Sequence, residues 1–488
     1  MKKRILTLVA ALAAAALLAA CGDKTPAVTT TDTSAGDTSV TDADTLGIPE
    51  TADYGGEAFN ILSAGNVAYA DFTADENAST PLDSAQYRRK ALVEQNYGVK
   101  IAETVEKAYS SGGGPGYKRL STDANAGDCN FDLALVAGYD VTVLAYSDYL
   151  YDLASIPGID LSKSWWDKRA NESLAVRGVM FFTTGEITVS DNDVAFVILF
   201  NKELRKAYDL DDPYSLVYDG EWTLDTFGAL CKTVTEDLDQ NGIMDANDRF
   251  GVLVWDDSVV GIVNAAGQRC CTIAEDGTIG LTLYNETTLA ALDKYFSIIY
   301  DTQYALTYQR EKVDPLEMWQ ADKGLFWMNT MTRIPQLRGM ESDFGILPYP
   351  KLNAEQQDYY TTVAPYNSQF VCVPLIQKDI ERTGIITEAL AYYGKQIVTP
   401  AYYDVNLVGQ STRDEESADM LEIIFDNLVF DIGYYYQVGP YNKQLIRMVQ
   451  ERDTNFTSMY DSYKTSAERL LTVINTYYAK AVSGWEKQ

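Results

Sequence analysis

Short apolar runs that alternate with stretches of helical spacing dominate the chain after about residue 55. Residues 59–62 form an apolar run before a polar loop, and residues 82–97 carry helical spacing with Gly98 as a C-terminal stop. A further apolar run covers residues 131–136. Strands that alternate with helices predict an open, mostly parallel sheet. Ligands bind beyond the carboxyl ends of strands in such sheets, which directs attention to Asn66, Tyr139 and Asp140.

A second α/β unit follows. Residues 194–200 are continuously apolar, which is typical of a strand buried on both faces. The pattern then predicts a helix over 223–236, an acidic loop, a strand over 250–254 and another over 324–329. Past Pro374 the chain reads as largely helical and ends in a helix over 466–485. Because about 430 residues exceed what one hydrophobic core usually supports, two lobes are expected.

The N-terminus has the layout of a secretory signal. A short cationic start precedes an apolar run that is too short to span a bilayer, and the run ends in small residues before Cys21. This ending resembles a lipobox, so residues 1–21 are expected to be a lipoprotein signal peptide with lipidation at Cys21. Residues 22–54 contain little apolar surface and are interpreted as a disordered tether to the outer face of the cell membrane.

Composition excludes several classes of function. The net charge is −31, which repels phosphate backbones and argues against nucleic acid as a partner. The chain has no histidine, so catalytic triads and ordinary zinc sites lose their usual residue. The scattered cysteines do not form a disulfide framework. The glycine cluster at residues 112–116 lacks the Lys-Ser/Thr ending of a P-loop and is interpreted as a structural loop.

Residues 237–248 match the spacing of a calcium-binding loop. Oxygen-bearing side chains fall at loop positions 1, 3, 5, 9 and 12, glycine stands at position 6, and the residue at position 7 supplies a carbonyl. Position 12 is aspartate instead of glutamate, and a solvated acidic loop is the alternative. The loop joins a helix to a strand, so calcium is expected to stiffen the structure and not to signal. The predicted ligands are Asp237, Asp239, Asn241, Ile243, Asp245 and Asp248.

Several segments resemble lipid-anchored extracellular solute-binding proteins of the carbohydrate ABC-importer class, which bind maltodextrins, alginate oligosaccharides and similar solutes. The resembling segments are 160–168, 200–204, 220–223 with the acidic loop after it, 344–351, 400–403 and 413–417. Together they span the chain from about 55 to 485. The resemblance implies a two-lobed α/β fold of the periplasmic-binding-protein type with three hinge crossings. The Trp165-Trp166 pair within the first segment is interpreted as packing.

The resemblance also implies where the lobes lie. The crossings are expected near residues 186–193, 329–336 and 363–370. Lobe 1 would combine 55–190 with 333–367, and lobe 2 would combine 191–332 with 368–488. The expected role is a non-enzymatic, monomeric subunit that binds a solute in the cleft between the lobes and delivers it to the subunits of an ABC permease.

Sugars present an apolar face and a ring of hydroxyl groups, so a sugar site needs aromatic side chains with polar side chains at its edges. Position at a strand end or a lobe crossing separates ligand-binding residues from packing residues better than composition does. The candidate ligand-binding residues chosen in this way are Asn66, Tyr139, Asp140, Asp191, Asp193, Trp255, Asp256, Trp327, Asn329, Tyr366 and Asn367.

Three other functions remain open on the sequence alone. A peptide or another organic solute could occupy the same cleft. A surface glycosidase or lyase needs two converging carboxylates, and Asp191 with Asp193 is the pair to test. A sensory or adhesive lipoprotein would bind the same solute without transport.

Overall fold

The computed structural model describes residues 44–67, 69–77, 80–301, 303–337, 339–403 and 415–485. The predicted signal peptide, Cys21 and most of the predicted tether lie outside these residues, as do Arg413 and Asp414 of the last resembling segment. The strands, in chain order, are β1 Glu57–Gly65, β2 Val99–Lys107, β3 Leu133–Ala137, β4 Phe196–Asn201, β5 Phe250–Val254, β6 Cys271–Ile273, β7 Ile279–Leu281, β8 Ala305–Thr307, β9 Gly324–Thr330, β10 Phe344–Leu347, β11 Thr361–Thr362, β12 Gln369–Cys372 and β13 Leu428–Val429.

Helices cover the faces of the sheets and make up most of the C-terminal part. They are α1 Pro81–Tyr97, α2 Pro115–Ala126, α3 Gly138–Ala145, α4 Lys168–Leu174, α5 Ser190–Asp193, α6 Lys202–Ala207, α7 Pro213–Tyr218, α8 Leu224–Val234, α9 Ser258–Ala265, α10 Glu286–Ile299, α11 Tyr308–Glu311, α12 Pro315–Gln320, α13 Ile380–Tyr393, α14 Thr399–Ala401, α15 Glu415–Phe425, α16 Ile432–Tyr435, α17 Tyr441–Glu451 and α18 Phe456–Trp485. None of the described helices is long and apolar enough to span a membrane.

Local sequence signals explain where the first helix begins and ends. Thr80 accepts a hydrogen bond from the backbone amide of Asp83 at 3.0 Å, and Pro81 occupies the first turn, where a missing amide hydrogen costs nothing. Gly98 ends α1 in the left-handed conformation, with φ of 60°. The helix predicted over 82–97 is therefore confirmed with nearly the same ends.

Lobe 1 is built on a four-stranded sheet in the order β12-β3-β1-β2. β1 is parallel to both β2 and β3, whereas β12 is antiparallel to β3. Every residue of β3 is buried, as expected for a strand with helices on both sides. The three parallel strands therefore have their carboxyl ends along one edge of this sheet.

Lobe 2 is built on a five-stranded sheet in the order β10-β4-β9-β5-β8. β5 is parallel to β8 and β9, and β4 is antiparallel to β9 and β10. β4 and β9 are buried along their whole length, which confirms the prediction of a doubly buried strand over 194–200.

The predicted lobe boundaries need two corrections. β10 lies within the range 333–367, which was predicted for lobe 1, but it pairs with β4 in lobe 2. β12 lies within the range 368–488, which was predicted for lobe 2, but it pairs with β3 in lobe 1. Strand pairing across more than one hundred residues decides both assignments, and local hydrophobic pattern carries no signal for it.

The chain changes lobe three times, as the resemblance implied, although one crossing lies elsewhere. It leaves lobe 1 between Thr183 and Phe196 and returns between Val363 and Gln369. No crossing follows β9, because β9 and β10 belong to the same sheet. α13 and α14 pack on α1 of lobe 1, and α15 packs on β10 of lobe 2. The described chain therefore belongs to lobe 1 through α14 and to lobe 2 from α15 onward.

The folded part begins earlier than the pattern predicted. Residues 44–54 were assigned to the disordered tether, yet Ile48 is only 8% exposed and belongs to the core. The hydroxyl of Tyr97 donates a hydrogen bond to the carbonyl oxygen of Pro49 at 2.9 Å. One well-placed apolar side chain and a few backbone contacts fix this segment, although its composition is polar.

Candidate binding cleft

The carboxyl ends of the parallel strands of lobe 1 gather polar and aromatic side chains. Asn66 follows β1, Tyr109 follows β2, and Tyr139 stands directly after β3. Two residues of a lobe crossing complete the group: Asn66 donates a hydrogen bond to Asn367 at 2.9 Å, and the Tyr366 ring centroid lies 6.5 Å from that of Tyr139. Four of the predicted ligand-binding residues therefore lie together.

Lobe 2 presents the end of β5 to the same place. Trp255 follows this strand, is partly exposed, and packs against Phe196 with 5.0 Å between ring centroids. Asp257 stands two residues later; burial, followed by its negative charge, raises the pKa of Tyr139, and burial, Tyr109 and Asp257 raise that of Tyr366. α9 follows Asp257 and packs on α17, whose Asn442 donates a hydrogen bond to the Tyr139 hydroxyl. The end of β3 in lobe 1 and the elements after β5 in lobe 2 therefore meet at Tyr139.

Three polar groups around Tyr139 have unused hydrogen-bonding capacity. The Asp257 carboxylate has no hydrogen-bond partner among the described residues, and burial, followed by the charge of Asp256, raises its pKa to about 7. The Lys443 ammonium lies 5.6 Å from the centroid of the Tyr139 ring and forms no ion pair with any residue that the structure describes. Asn442 donates a hydrogen bond to the Tyr139 hydroxyl, while its own Oδ1 is buried and has no hydrogen-bond partner within the described ranges. The cleft can therefore both accept and donate hydrogen bonds.

Two of the predicted ligand-binding residues, Asp140 and Asp256, have carboxylates that point into the protein and not into the cleft. Asp140 is completely buried, and its carboxylate accepts hydrogen bonds from the backbone amides of Gly112 at 3.1 Å and Gly114 at 2.9 Å. The Asp256 carboxylate is also completely buried and accepts a hydrogen bond from Gln450. Both carboxylates are held inside the protein by these contacts.

The two predicted residues on β9 are likewise internal. Trp327 is completely buried, with its ring centroid 5.7 Å from that of Trp319. Asn329 is buried and donates a hydrogen bond to the Tyr308 hydroxyl at 3.0 Å. Trp327, one of the candidates chosen by position, has no surface to offer a ligand in this conformation.

Asp191 and Asp193 are bound to different partners at the first crossing. Asp191 accepts a hydrogen bond from Thr184 at 3.1 Å and lines a separate cavity of about 860 Å³ with acidic neighbours that include Glu186. Asp193 accepts a hydrogen bond from Tyr402 at 2.7 Å, and burial raises its pKa to about 6. Each carboxylate thus fastens a hinge segment to its surroundings.

Sequence reasoning missed three residues of the cleft. Asp257 follows two named candidates at a strand exit, so position already pointed to it. Tyr109 stands two residues after β2, where the same rule applies, and it is 61% exposed. Lys443 stands at the start of α17, and no local signal connects this helix with Tyr139.

The loop of residues 237–248 brings three of its predicted calcium ligands together. Carboxylate oxygens of Asp237, Asp239 and Asp248 lie within 4.8 Å of one another. The Gly242 amide donates to Asp237 at 2.8 Å, and the other oxygen of Asp237 is buried without a hydrogen-bond partner in the described chain. An orphaned buried carboxylate oxygen beside two further carboxylates suits a hard cation.

Hydrogen bonds to backbone amides hold Asp248 of this group and the predicted ligands outside it. Asp248 is completely buried, and its two oxygens accept the backbone amides of Leu238 and Asp245, each at 2.9 Å. The Asn241 side chain accepts the Ile243 amide at 2.7 Å, which shapes the turn at this point. Asp245 accepts a hydrogen bond from the amide of Asn247, outside the three-carboxylate group.

Comparison with known proteins places the fold. No protein-family model matches the sequence, and no curated protein does. Solved structures do match. The galacto-N-biose/lacto-N-biose I-binding protein of a Bifidobacterium longum ABC transporter, in complex with lacto-N-biose, has a TM-score of 0.58 at 13% identity. The match covers 86% of this chain and 98% of that chain.

Two further structures agree with this result. An ABC substrate-binding protein of Listeria monocytogenes in complex with cycloalternan has a TM-score of 0.53 at 13% identity, covering 86% of this chain and 98% of that one. The GacH receptor of Streptomyces glaucescens, solved unliganded and with acarbose, has a TM-score of 0.51 at 12% identity, with 87% and 98% covered. The chain has the two-lobed periplasmic-binding-protein fold. The resemblance to solute-binding proteins of carbohydrate importers is thus confirmed at the level of the fold.

Proposed function

We propose that this chain captures an oligosaccharide or a related polyhydroxylated solute in the cleft between its lobes and delivers it to an ABC permease. The observation that carries the proposal is the contact between the lobes at Tyr139, whose hydroxyl accepts a hydrogen bond from Asn442 of lobe 2. Lys443 lies over the same ring, and Lys443 and Asp257 are both unpaired among the described residues. The matched structures with this fold are solute-binding proteins, which supports a binding role over an enzymatic one.

The chemistry of the cleft suits a sugar. The ring of Tyr366 and the indole of Trp255 are partly exposed and offer apolar faces to the C–H face of a pyranose, and the buried ring of Tyr139 packs behind Tyr366. The Asp257 carboxylate accepts hydrogen bonds from hydroxyl groups, and the Lys443 ammonium donates them. Hydrogen bonds to charged groups are about twice as strong as neutral ones, so two such groups fix the orientation of a neutral ligand.

Closure of the lobes would complete the site. Tyr139 belongs to lobe 1 and Asp257 to lobe 2. A solute that contacts both binds the closed form more tightly than the open form, and this differential affinity shifts the population toward closure. The permease can then distinguish loaded from empty protein by shape.

The test is direct binding measured by calorimetry and by thermal shift, using the unlipidated chain and a panel of mono- and oligosaccharides and short peptides. We expect saccharides to bind and to be recovered intact by chromatography. Asp257→Asn should weaken their binding, whereas Glu275→Gln, which removes one exposed charge far from the strand ends, should not. Cleavage of the saccharide would establish an enzyme instead, and binding of peptides alone would establish a different solute class.

We further propose that Cys21 carries the lipid that holds the chain at the outer face of the cell membrane as a monomer. The lipobox-like sequence and the polar stretch after it support this proposal. Labelled palmitate should be incorporated into the full chain, and Cys21→Ser should abolish the label and release the protein. A wild-type chain that stays unlabelled and soluble would contradict the anchor.

A further inference from the structure

Tyr109 stands out among the aromatic side chains near the cleft because it is 61% exposed. The centroid of its ring lies 5.5 Å from that of Tyr366, which in turn lies 6.5 Å from Tyr139. Tyr366 therefore connects a buried ring with an exposed one. Singly exposed aromatic side chains are common on protein surfaces, but this one packs on the partly exposed Tyr366 and adjoins the proposed binding site.

Tyr109, Tyr366 and Tyr139 form a row of aromatic rings. The strand order in the sheet of lobe 1 sets the length of this row. Tyr139 follows β3 and Tyr109 follows β2, and β1 lies between these two strands. Neighbouring strands are about 4.8 Å apart, so the two strand ends are separated by about 10 Å. Asn66 follows the intervening strand, so a polar side chain lies between the two aromatic positions. The length of this row is therefore greater than that of a single sugar ring.

The segment that carries Tyr109 is held in place before any ligand arrives. Asp140 accepts the backbone amides of Gly112 and Gly114, and Gln437 donates to the carbonyl oxygen of Ser111 at 3.2 Å. Gly112 has φ of 97°, and a β-carbon there would meet Gln437 and Val143 at 3.2 and 3.3 Å. Only glycine suits this packing. A fixed segment loses little conformational entropy when an exposed ring stacks on a ligand.

We propose that Tyr109 forms an outer subsite that stacks on a second or later sugar ring and makes the cleft selective for oligosaccharides over monosaccharides. The inference rests on the proposed function, since it assigns the length of the ligand in the same cleft. Tyr366, with the buried ring of Tyr139 packed behind it, serves the inner sugar ring, and Tyr109 contacts the part of the oligosaccharide that points toward solvent.

The experiment compares affinities along three ladders of one to four sugar rings: α-gluco-, β-gluco- and β-galacto-oligosaccharides. In the wild-type protein, affinity in the ladder that binds should rise from one ring to three. Tyr109→Ala should weaken the tri- and tetrasaccharide by about tenfold and leave the monosaccharide within about twofold. Tyr109→Phe keeps the ring and should stay close to wild type.

A matched control separates this effect from general loss of an exposed tyrosine. Tyr218 is 50% exposed on α7 of lobe 2, and Tyr218→Ala should leave the whole ladder unchanged. Equal affinity for all lengths in the wild type, or equal weakening of all lengths by Tyr109→Ala, would overturn the subsite while leaving saccharide binding intact. Absence of binding by every ladder would overturn the proposed function itself.

Discussion

Asp257 is the residue on which the chemistry of the cleft depends most. Burial and the neighbouring Asp256 raise its pKa to about 7, and its charge acts on tyrosines of other elements, which stay neutral near this pH. Above pH 7 the group is an anion that accepts two hydroxyl hydrogens, and below it the acid accepts more weakly. We expect saccharide affinity to fall by about fivefold from pH 8 to pH 6, because charge-assisted hydrogen bonds are about twice as strong.

Calorimetric titrations at several pH values check this expectation. Asp257→Asn should bind about tenfold more weakly than wild type at pH 8 and should lose most of the pH dependence, because the amide does not titrate. The thermal unfolding of the variant at pH 8 shows whether it is folded. A wild-type affinity that rises toward low pH would show that the protonated acid is the binding form.

Position along the sheet predicted which residues gather at the strand ends, and buried contacts determined how their side chains are oriented. Asn66 and Tyr139 lie together because parallel strands end at a common edge. The same rule also selected Asp140 and Asp256, whose carboxylates turn inward to meet Gly114 and Gln450. A strand end thus fixes where a residue lies, but tertiary packing decides which way its side chain points.

At the scale of single elements, the loop of residues 237–248 should bind calcium and thereby stabilise the folded state. Calcium should raise the melting temperature relative to chelator, because a ligand at 100 times its dissociation constant stabilises the folded state by about 2.7 kcal/mol. Asp237→Asn should abolish this shift, since Asp237 holds the orphaned buried oxygen. Thermal unfolding with calcium and with chelator provides the measurement.

An exposed aspartate outside the loop serves as the control for calcium. Asp276 lies in the turn between β6 and β7, so Asp276→Asn should keep the full calcium shift. The loop runs directly into β5, whose end carries Trp255 and Asp257. A shift that persists in Asp237→Asn would place the metal elsewhere or assign the effect to general screening of the acidic surface.

The elements themselves were largely predictable, but their partners were not. Helical spacing and a capping threonine fixed α1, and a continuous apolar run fixed β4. The lobe membership of β10 and β12 was wrong, because both pair with strands more than one hundred residues away. The Trp165-Trp166 pair was correctly interpreted as packing: both indoles donate to Glu388 of α13, at 3.0 and 2.9 Å.

At the scale of the whole molecule, buried carboxyl groups give the stability an unusual dependence on pH. Burial raises the pKa of Asp193 to about 6 and that of Glu388 to about 7. Burial raises the pKa of further carboxyl groups in the same direction, namely Asp71, Glu103, Asp152, Glu186, Asp191 and Asp431. Between the ordinary carboxyl value near 4 and these raised values, the folded state binds more protons than the unfolded state.

Stability should therefore fall as pH rises through this window, which is opposite to the usual behaviour of salt-bridged carboxylates. The net charge of −31 acts in the same direction, because repulsion among ionised groups grows as the last of them lose their protons. In chelator, the melting temperature should be several degrees higher at pH 5.5 than at pH 7.5. The double variant Asp193→Asn with Glu388→Gln should show a smaller difference, since two of the titrating groups are gone. A melting temperature that rises with pH would mean that ion pairs such as Arg382 with Asp132, whose atoms are 2.7 Å apart, outweigh the buried acids.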